Sequence, residues 1–263
     1  MIKLIATDMD GTLLGKDHEL PPDFFSVLEE LYRRGIHFLA ASGRYYDSLR
    51  KNFDPHPDML DYICDNGACL VAGGEVVGKN PMTPRQVSGV IDICAELPGV
   101  KVVLCGTRGA YHAAYEPVYG DASAVKRIYP QMRQDFAGID DEIYKISLMD
   151  LNDPAQNTIR ALQQAFGDSL NVLLSGSRWI DVMNAGVDKG LGLSFFQRYW
   201  NITPEETMVF GDYFNDVPLF EHAYYSFAME NGHPDIRSHA RFIAPSNEEY
   251  GVIQMIRKYI LNA

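Results

Sequence analysis

Apolar positions follow two different periods along this chain. The run "IKLIAT" at 2–7 is short and continuous, as a strand buried on both faces is. By contrast, "PDFFSVLEELYRR" at 22–34 repeats its apolar residues every three to four positions and predicts a helix. Gly35 follows where a left-handed helix cap is expected, and "IHFLAAS" at 36–42 predicts a second strand. A third strand is expected at "DYICDN", 61–66, and "ACLVAGGEVVG" then reads as a hairpin turning at Gly73 and Gly74.

From about 83 to 184 the rhythm changes to helix, strand, strand. "TPRQVSGVIDICAEL", "VKVVLCG" and "AYHAAY" form one such unit, and "DPAQNTIRALQQAFG", "LNVLLSG" and "RWIDVMN" repeat it. A helix near 121–134 and the strand "EIYKISLMD" are expected between them. This weak duplication of an αββ unit predicts an antiparallel sheet with helices on one face. After 187 the β–α alternation resumes: a helix "KGLGLSFFQRYW", a helix start at Thr203 and Pro204, a strand "TMVFGD", a helix near 216–223, and strands "YSFAM" and "RFIA". The predicted architecture is α/β. A doubly wound parallel-sheet core, 1–82 plus 185–263, carries an inserted α+β cap domain, 83–184.

Composition narrows the function classes. The chain has 263 residues, a formal net charge of −12 and 46% hydrophobic residues. So negative a surface argues against nucleic acid, whose phosphates are bound through basic groups. No run approaches the roughly 20 apolar residues that span a bilayer, and the amino-terminal segment has the wrong length and order for a secretory signal, so a soluble cytoplasmic protein is expected. Cys64, Cys69, Cys94 and Cys105 form neither CxxC pairs nor a zinc-spaced cluster with histidine, and read as buried or incidental thiols.

Open parallel sheets bind ligands beyond the carboxyl ends of their strands, so the residues ending each core strand carry the most information. The first strand ends in Asp8 and leads to Asp10. The second ends in Ser42, followed by Gly43 and Arg44; the third in Asp65 and Asn66; and "TMVFGD" ends in Asp212, followed by Asn215 and Asp216. Carboxylates gathered on one rim repel one another unless a cation offsets them, and oxygen donors favour a hard divalent ion such as Mg²⁺. Lys189 adds a fixed positive charge, while the Ser42 hydroxyl and the Gly43 N–H can donate to an oxyanion. A metal, a lysine and such donors suit a phosphoryl group.

The ordered stretches "DMDGTL", "ASGR", "DKG" and "GDYFND" resemble the four motifs of haloacid dehalogenase-like phosphatases, and the large αββ-duplicated insert resembles the Cof-type group of that superfamily. "DNGA" at 65–68 and "AMENGHPDIR" at 228–237 are similar to secondary signatures of the group. The resemblance implies a Rossmann-like core and Mg²⁺-dependent hydrolysis of small phosphorylated metabolites, sugar phosphates foremost. It makes Asp8 the nucleophile that forms an aspartyl-phosphate and Asp10 the general acid and base. Asp8, Asp212 and the Met9 or Asp10 carbonyl, by family practice that of Asp10, would hold the metal. Asp216 would serve either as a ligand through water or to orient Lys189. Ser42, Gly43, Lys189 and Asn215 would hold the phosphoryl oxygens.

One departure from the family pattern is the bulky pair Tyr213 and Phe214 after the fourth-motif Gly-Asp, which bears on substrate range. Two other classes compete with hydrolysis. A phosphomutase would share the aspartyl-phosphate but return the group to a sugar, and a phosphate-accepting switch would need neither Asp10 nor a hundred-residue lid. In the insert, Arg108, His112, Lys145 and Arg178 could meet a substrate, but each reads first as a solvated or structural residue, and the aromatic cluster at 111–120 reads first as cap core. Arg44 either contacts the site or braces the Ser42 loop. Oligomeric state is open.

Overall fold

A computed structural model describes residues 1–113, 131–133, 135–175 and 177–262. The chain divides into two compact units, Met1–Gly78 with Asp188–Ala263, and Lys79–Val187. Among the described residues no helix is long and apolar enough to cross a membrane.

The first unit is built on an eight-stranded sheet in the order β14-β13-β12-β1-β2-β3-β4-β5. Its centre is β1 (Leu4–Thr7), flanked in parallel by β2 (His37–Ala41) and β12 (Thr207–Gly211). The chain leaves β1 towards β2 and β3 (Asp61–Cys64) on one side, and later returns through β12, β13 (Tyr225–Met229) and β14 (Phe242–Ala244) on the other. The boundary between β1 and β12 is therefore the topological switch point, and sheets of this kind bind their ligands beyond the carboxyl ends of the strands there. Both strands are buried throughout, which is why their sequences read as apolar runs without alternation. Helix α1 (Phe24–Arg33) buries Phe24, Val27, Leu28 and Leu31, a single helical stripe, and stops before Gly35, whose φ is +68°. Helix α5 (Lys189–Trp200) packs Leu193 and Phe196 against Leu4, Leu39, Ile63 and Val209. The antiparallel strand β4 (Cys69–Ala72) and then β5 (Glu75–Lys79) finish the sheet.

Among the described residues, two helices fall outside the sequence-predicted elements. Helix α2 (Tyr46–Arg50) is only five residues long, too short for a periodic signal. Helix α7 (Gly251–Ile256) continues as a wider turn, Arg257–Leu261, and its buried positions 252, 253, 256 and 260 have helical spacing. It opens, however, on Tyr250 in the left-handed region followed by glycine, without a side-chain cap to announce it. The start expected at Thr203 and Pro204 yields a single 3₁₀ turn, Pro204–Glu206, because the strand β12 begins at once.

The second unit is a six-stranded sheet ordered β10-β11-β9-β6-β7-β8. The two αββ segments are α3 (Pro84–Ala95) with β6 (Val100–Gly106) and β7 (Gly109–Ala113), and α4 (Arg160–Phe166) with β10 (Leu170–Leu174) and β11 (Trp179–Asn184). They lie on either side of β9 (Ile143–Asp150). One sheet face, carrying Val102, Leu104, Tyr111, Ile146, Leu148, Ile180 and Val182, packs against Val90, Cys94 and Leu162 of the helices. The helix expected near 121–134 is corrected at its end: Gln131–Arg133 is β8, parallel to β7. A helix through this stretch would have to pass Pro130, which has no N–H to donate, and the edge of β7 offers the strand pairing instead. Residues 121–130, like 114–120 of the aromatic cluster, lie outside the described residues.

Candidate active site

The strand ends at the switch point bring the predicted carboxylates together. Asp8 follows β1 and anchors its N–H on the Phe210 carbonyl of β12 at 3.0 Å. Asp212 follows β12, and Asp216 closes the single turn Phe214–Asp216 before α6 (Val217–Glu221). Facing them, Lys189 opens α5, whose first turn is capped by the Asp188 carboxylate accepting from the Leu191 N–H at 2.7 Å.

Lys189 is fully buried. Its Nζ donates to Asp8 Oδ1 at 2.5 Å and to Asp216 Oδ1 at 2.6 Å. The other oxygen of Asp216 accepts the backbone N–H groups of Asp212 at 2.9 Å and Tyr213 at 3.1 Å. Asp216 thus fixes both the ammonium and the loop that presents Asp212. Asp212 in turn accepts the Thr12 hydroxyl at 3.1 Å. Gly11, with φ of +86°, runs so close to this carboxylate that any Cβ there would collide with it.

Charge in the cluster is unbalanced. Burial pushes Asp8 up to about 7, against the lowering effect of Lys189, and Asp216 and Asp10 push it further up. Burial likewise pushes Asp212 up to about 8, with Asp8 and Asp216 adding repulsion. For Lys189, burial alone would favour the neutral amine, but Asp216 and Asp8 together hold its pKa above the ordinary lysine value. One ammonium does not neutralise three carboxylates, and with burial this raises the affinity of Asp8 and Asp212 for protons. Oxygens of Asp8, Asp212 and Asp216 lie within 4.8 Å of one another, an all-oxygen donor set that fits a hard divalent ion.

Asp10 stands apart from this knot. Its side chain is 43% exposed and is gripped by Arg44, with Nε donating to Oδ2 at 2.9 Å and an Nη group to Oδ1. His18 Nδ1 lies 3.3 Å from the same carboxylate. Arg44 therefore does both things open to it in the sequence: it reaches Asp10, and its backbone N–H meets the Ser42 hydroxyl at 3.2 Å. Ser42 is buried at the end of β2 and is followed directly by Gly43, while the Asn215 amide donates to Asn66 Oδ1 at 3.2 Å.

The two secondary signatures acquire structural jobs. Asn66 contacts both Ser42 and Asn215. Asn231 donates to the Gly11 carbonyl at 2.7 Å, and the His233 N–H to the Asp212 carbonyl at 2.9 Å. Tyr213 and Phe214 pack beside His233, the Phe214 ring centroid 4.7 Å from the imidazole. In the second unit, Arg108 and Arg178 are exposed, and His112 is half-buried. Lys145 is buried in an ion pair with Asp181 at 3.1 Å, alongside Ser147. Tyr111 belongs to the hydrophobic core of that unit.

The fold is thus a doubly wound α/β sheet, and the site is a lysine locked between acidic strand ends at its switch point. The profile of the haloacid dehalogenase-like hydrolases matches residues 5–256, and the chain belongs to that family. It is 30% identical to 5-amino-6-(5-phospho-D-ribitylamino)uracil phosphatase YbjI of Escherichia coli, over 98% of this chain and 96% of that one. The crystal structure of SMU.1108c from Streptococcus mutans superposes with a TM-score of 0.90 at 27% identity, covering 99% of this chain and 100% of that one. A haloacid dehalogenase-like hydrolase from B. subtilis shares the fold with a TM-score of 0.84 at 21% identity, over 98% and 100% of the two chains.

Proposed function

We propose that this haloacid dehalogenase-like phosphatase is a Mg²⁺-dependent phosphomonoesterase that works through an aspartyl-phosphate on Asp8. The observation that carries the reading is Lys189, buried without solvent contact and bonded to both Asp8 and Asp216 beside Asp212. Because Lys189 engages Oδ1 of Asp8, Oδ2 is the oxygen left to attack phosphorus. The bond from phosphorus to the substrate oxygen breaks as the new one forms, and Asp10, protonated once one of its oxygens leaves Arg44, gives that proton to the departing alkoxide. Asp10, now ionised, takes a proton from water, whose oxygen attacks phosphorus and releases phosphate from Asp8. Ser42, Gly43, Lys189 and Asn215 hold the phosphoryl oxygens through both steps.

Asp8, Asp212 and the Asp10 carbonyl would hold the magnesium ion; Asp216, bonded to Lys189 and to the N–H groups of Asp212 and Tyr213, orients both and would meet the ion through water. When bound, the ion supplies positive charge that offsets the carboxylates and the incoming phosphate. Residues 79–187 act as the specificity unit. Small phosphorylated metabolites are the substrate class, with sugar phosphates in front. The ribitylaminouracil phosphate named for the E. coli relative is the first compound to try, since it too carries its phosphate on a polyol. Phosphate release from a panel of such compounds, with Mg²⁺ and with chelator, tests reaction, ion and substrate together. Metal-independent release, or full activity in Asp8→Asn, would sink the reading.

A further inference from the structure

Between β3 and β4 the backbone does something rare. Asp65, Asn66 and Gly67 are three consecutive residues with φ of +49°, +53° and +102°, all buried. Side-chain-bearing residues enter this region singly, and two together persist only where surrounding contacts hold them there. Those contacts run to the phosphate-holding groups. The Asn66 N–H donates to the Ser42 carbonyl at 3.0 Å, the Asp65 N–H to the Arg44 carbonyl at 3.0 Å, and Asn66 Oδ1 accepts from Asn215 Nδ2 at 3.2 Å. Gly67 passes so near the Asp188 carbonyl, next to Lys189, that a Cβ would collide with it.

Ser42 and Asn215 come from different strand ends and are separated by most of the chain, yet both are fixed by one residue. We infer that Asn66 is a positioning residue for phosphoryl binding: by accepting one N–H of the Asn215 amide and donating to the Ser42 carbonyl, it aims the second Asn215 N–H and the Ser42 hydroxyl at the same phosphoryl group. The inference rests on the phosphatase reading above and adds to it a residue that never touches substrate. The left-handed backbone is what lets one asparagine present its N–H and its side-chain oxygen to two separate elements.

A double-mutant cycle on p-nitrophenyl phosphate tests it, using the full-length protein with Mg²⁺. Asn66→Gly removes the acceptor while tolerating the positive φ, and Asn215→Ala removes the group it aims. Asn66→Gly is expected to lower kcat/KM by about tenfold, and the double variant to lose little more than Asn215→Ala alone, because the two residues act as one unit. The product-inhibition constant of inorganic phosphate should rise in parallel, with the urea midpoint of Asn66→Gly near that of the wild type. If Asn66→Gly does not fold, Asn66→Asp keeps both the acceptor and the left-handed preference. It should retain most of the wild-type kcat, its added charge appearing in KM. Losses that add across the cycle, or that follow the urea midpoint, would overturn the inference while leaving the phosphatase reading intact. A wild-type protein that releases no phosphate from any ester would overturn both.

Discussion

Asp8 and Asp10 have the same side chain two positions apart, and their surroundings divide them. Asp8 is buried against Lys189 and pushed up to about 7, whereas Asp10 is half-open to solvent in the grip of Arg44. That grip is two-pronged and geometric. Arg44→Ala is expected to lower kcat about tenfold, and Arg44→Lys should recover little of it, since an ammonium makes no planar two-point contact with a carboxylate. Steady-state kinetics on one good substrate would check both. Gly11 marks the other constraint: its left-handed backbone and its closeness to Asp212 mean that Gly11→Ala should cost about 1–3 kcal/mol of stability and weaken Mg²⁺ binding together. Denaturant titration and metal titration of the same variant give the two numbers.

At the scale of elements, the switch point depends on α5 delivering Lys189 to two acids. Lys189→Met leaves Asp8 and Asp216 buried without their shared partner, so a loss of about 3–5 kcal/mol is expected beyond the loss of activity, readable in a urea melt. Most strands of the core were legible because parallel strands buried on both faces are unbroken apolar runs. The site was legible because its acids end those runs. Short elements without caps were not: α2 is barely more than a turn, and α7 starts on a left-handed tyrosine. Pro130 was the overlooked sign against a helix reaching 131–133, where β8 stands. The roles of Asn66, Asn231 and His233 were hidden for another reason. Each acts through long-range contacts with residues that a linear reading cannot pair, although the signatures containing them stood out.

For the whole molecule, the acidic cluster links stability, pH and metal. Asp8 and Asp212 ionise near 3.8 when unfolded but at about 7 and about 8 when folded, so the native state keeps protons that the unfolded chain has lost. Their contribution to stability is complete below the unfolded value and is lost as pH rises through 7 and 8. A divalent ion must displace those protons, so its affinity should climb between pH 6 and 8, by up to about tenfold per unit for each proton released, then level off. In urea melts, the gain from Mg²⁺ over chelator should accordingly be larger at pH 8 than at pH 6.

The central claim is that Asp8 carries the phosphoryl group while Asp10 moves the protons, and one experiment separates these roles. p-Nitrophenolate leaves without help from an acid, so Asp10→Asn should still form the aspartyl-phosphate from p-nitrophenyl phosphate but lack the base that activates water to hydrolyse it. Rapid mixing should show a burst of p-nitrophenol equal to the enzyme present, then slow turnover. Peptide mapping after acid quench should find one added phosphoryl group on Asp8. A linear time course, or a phosphoryl group on any other residue, would contradict the account.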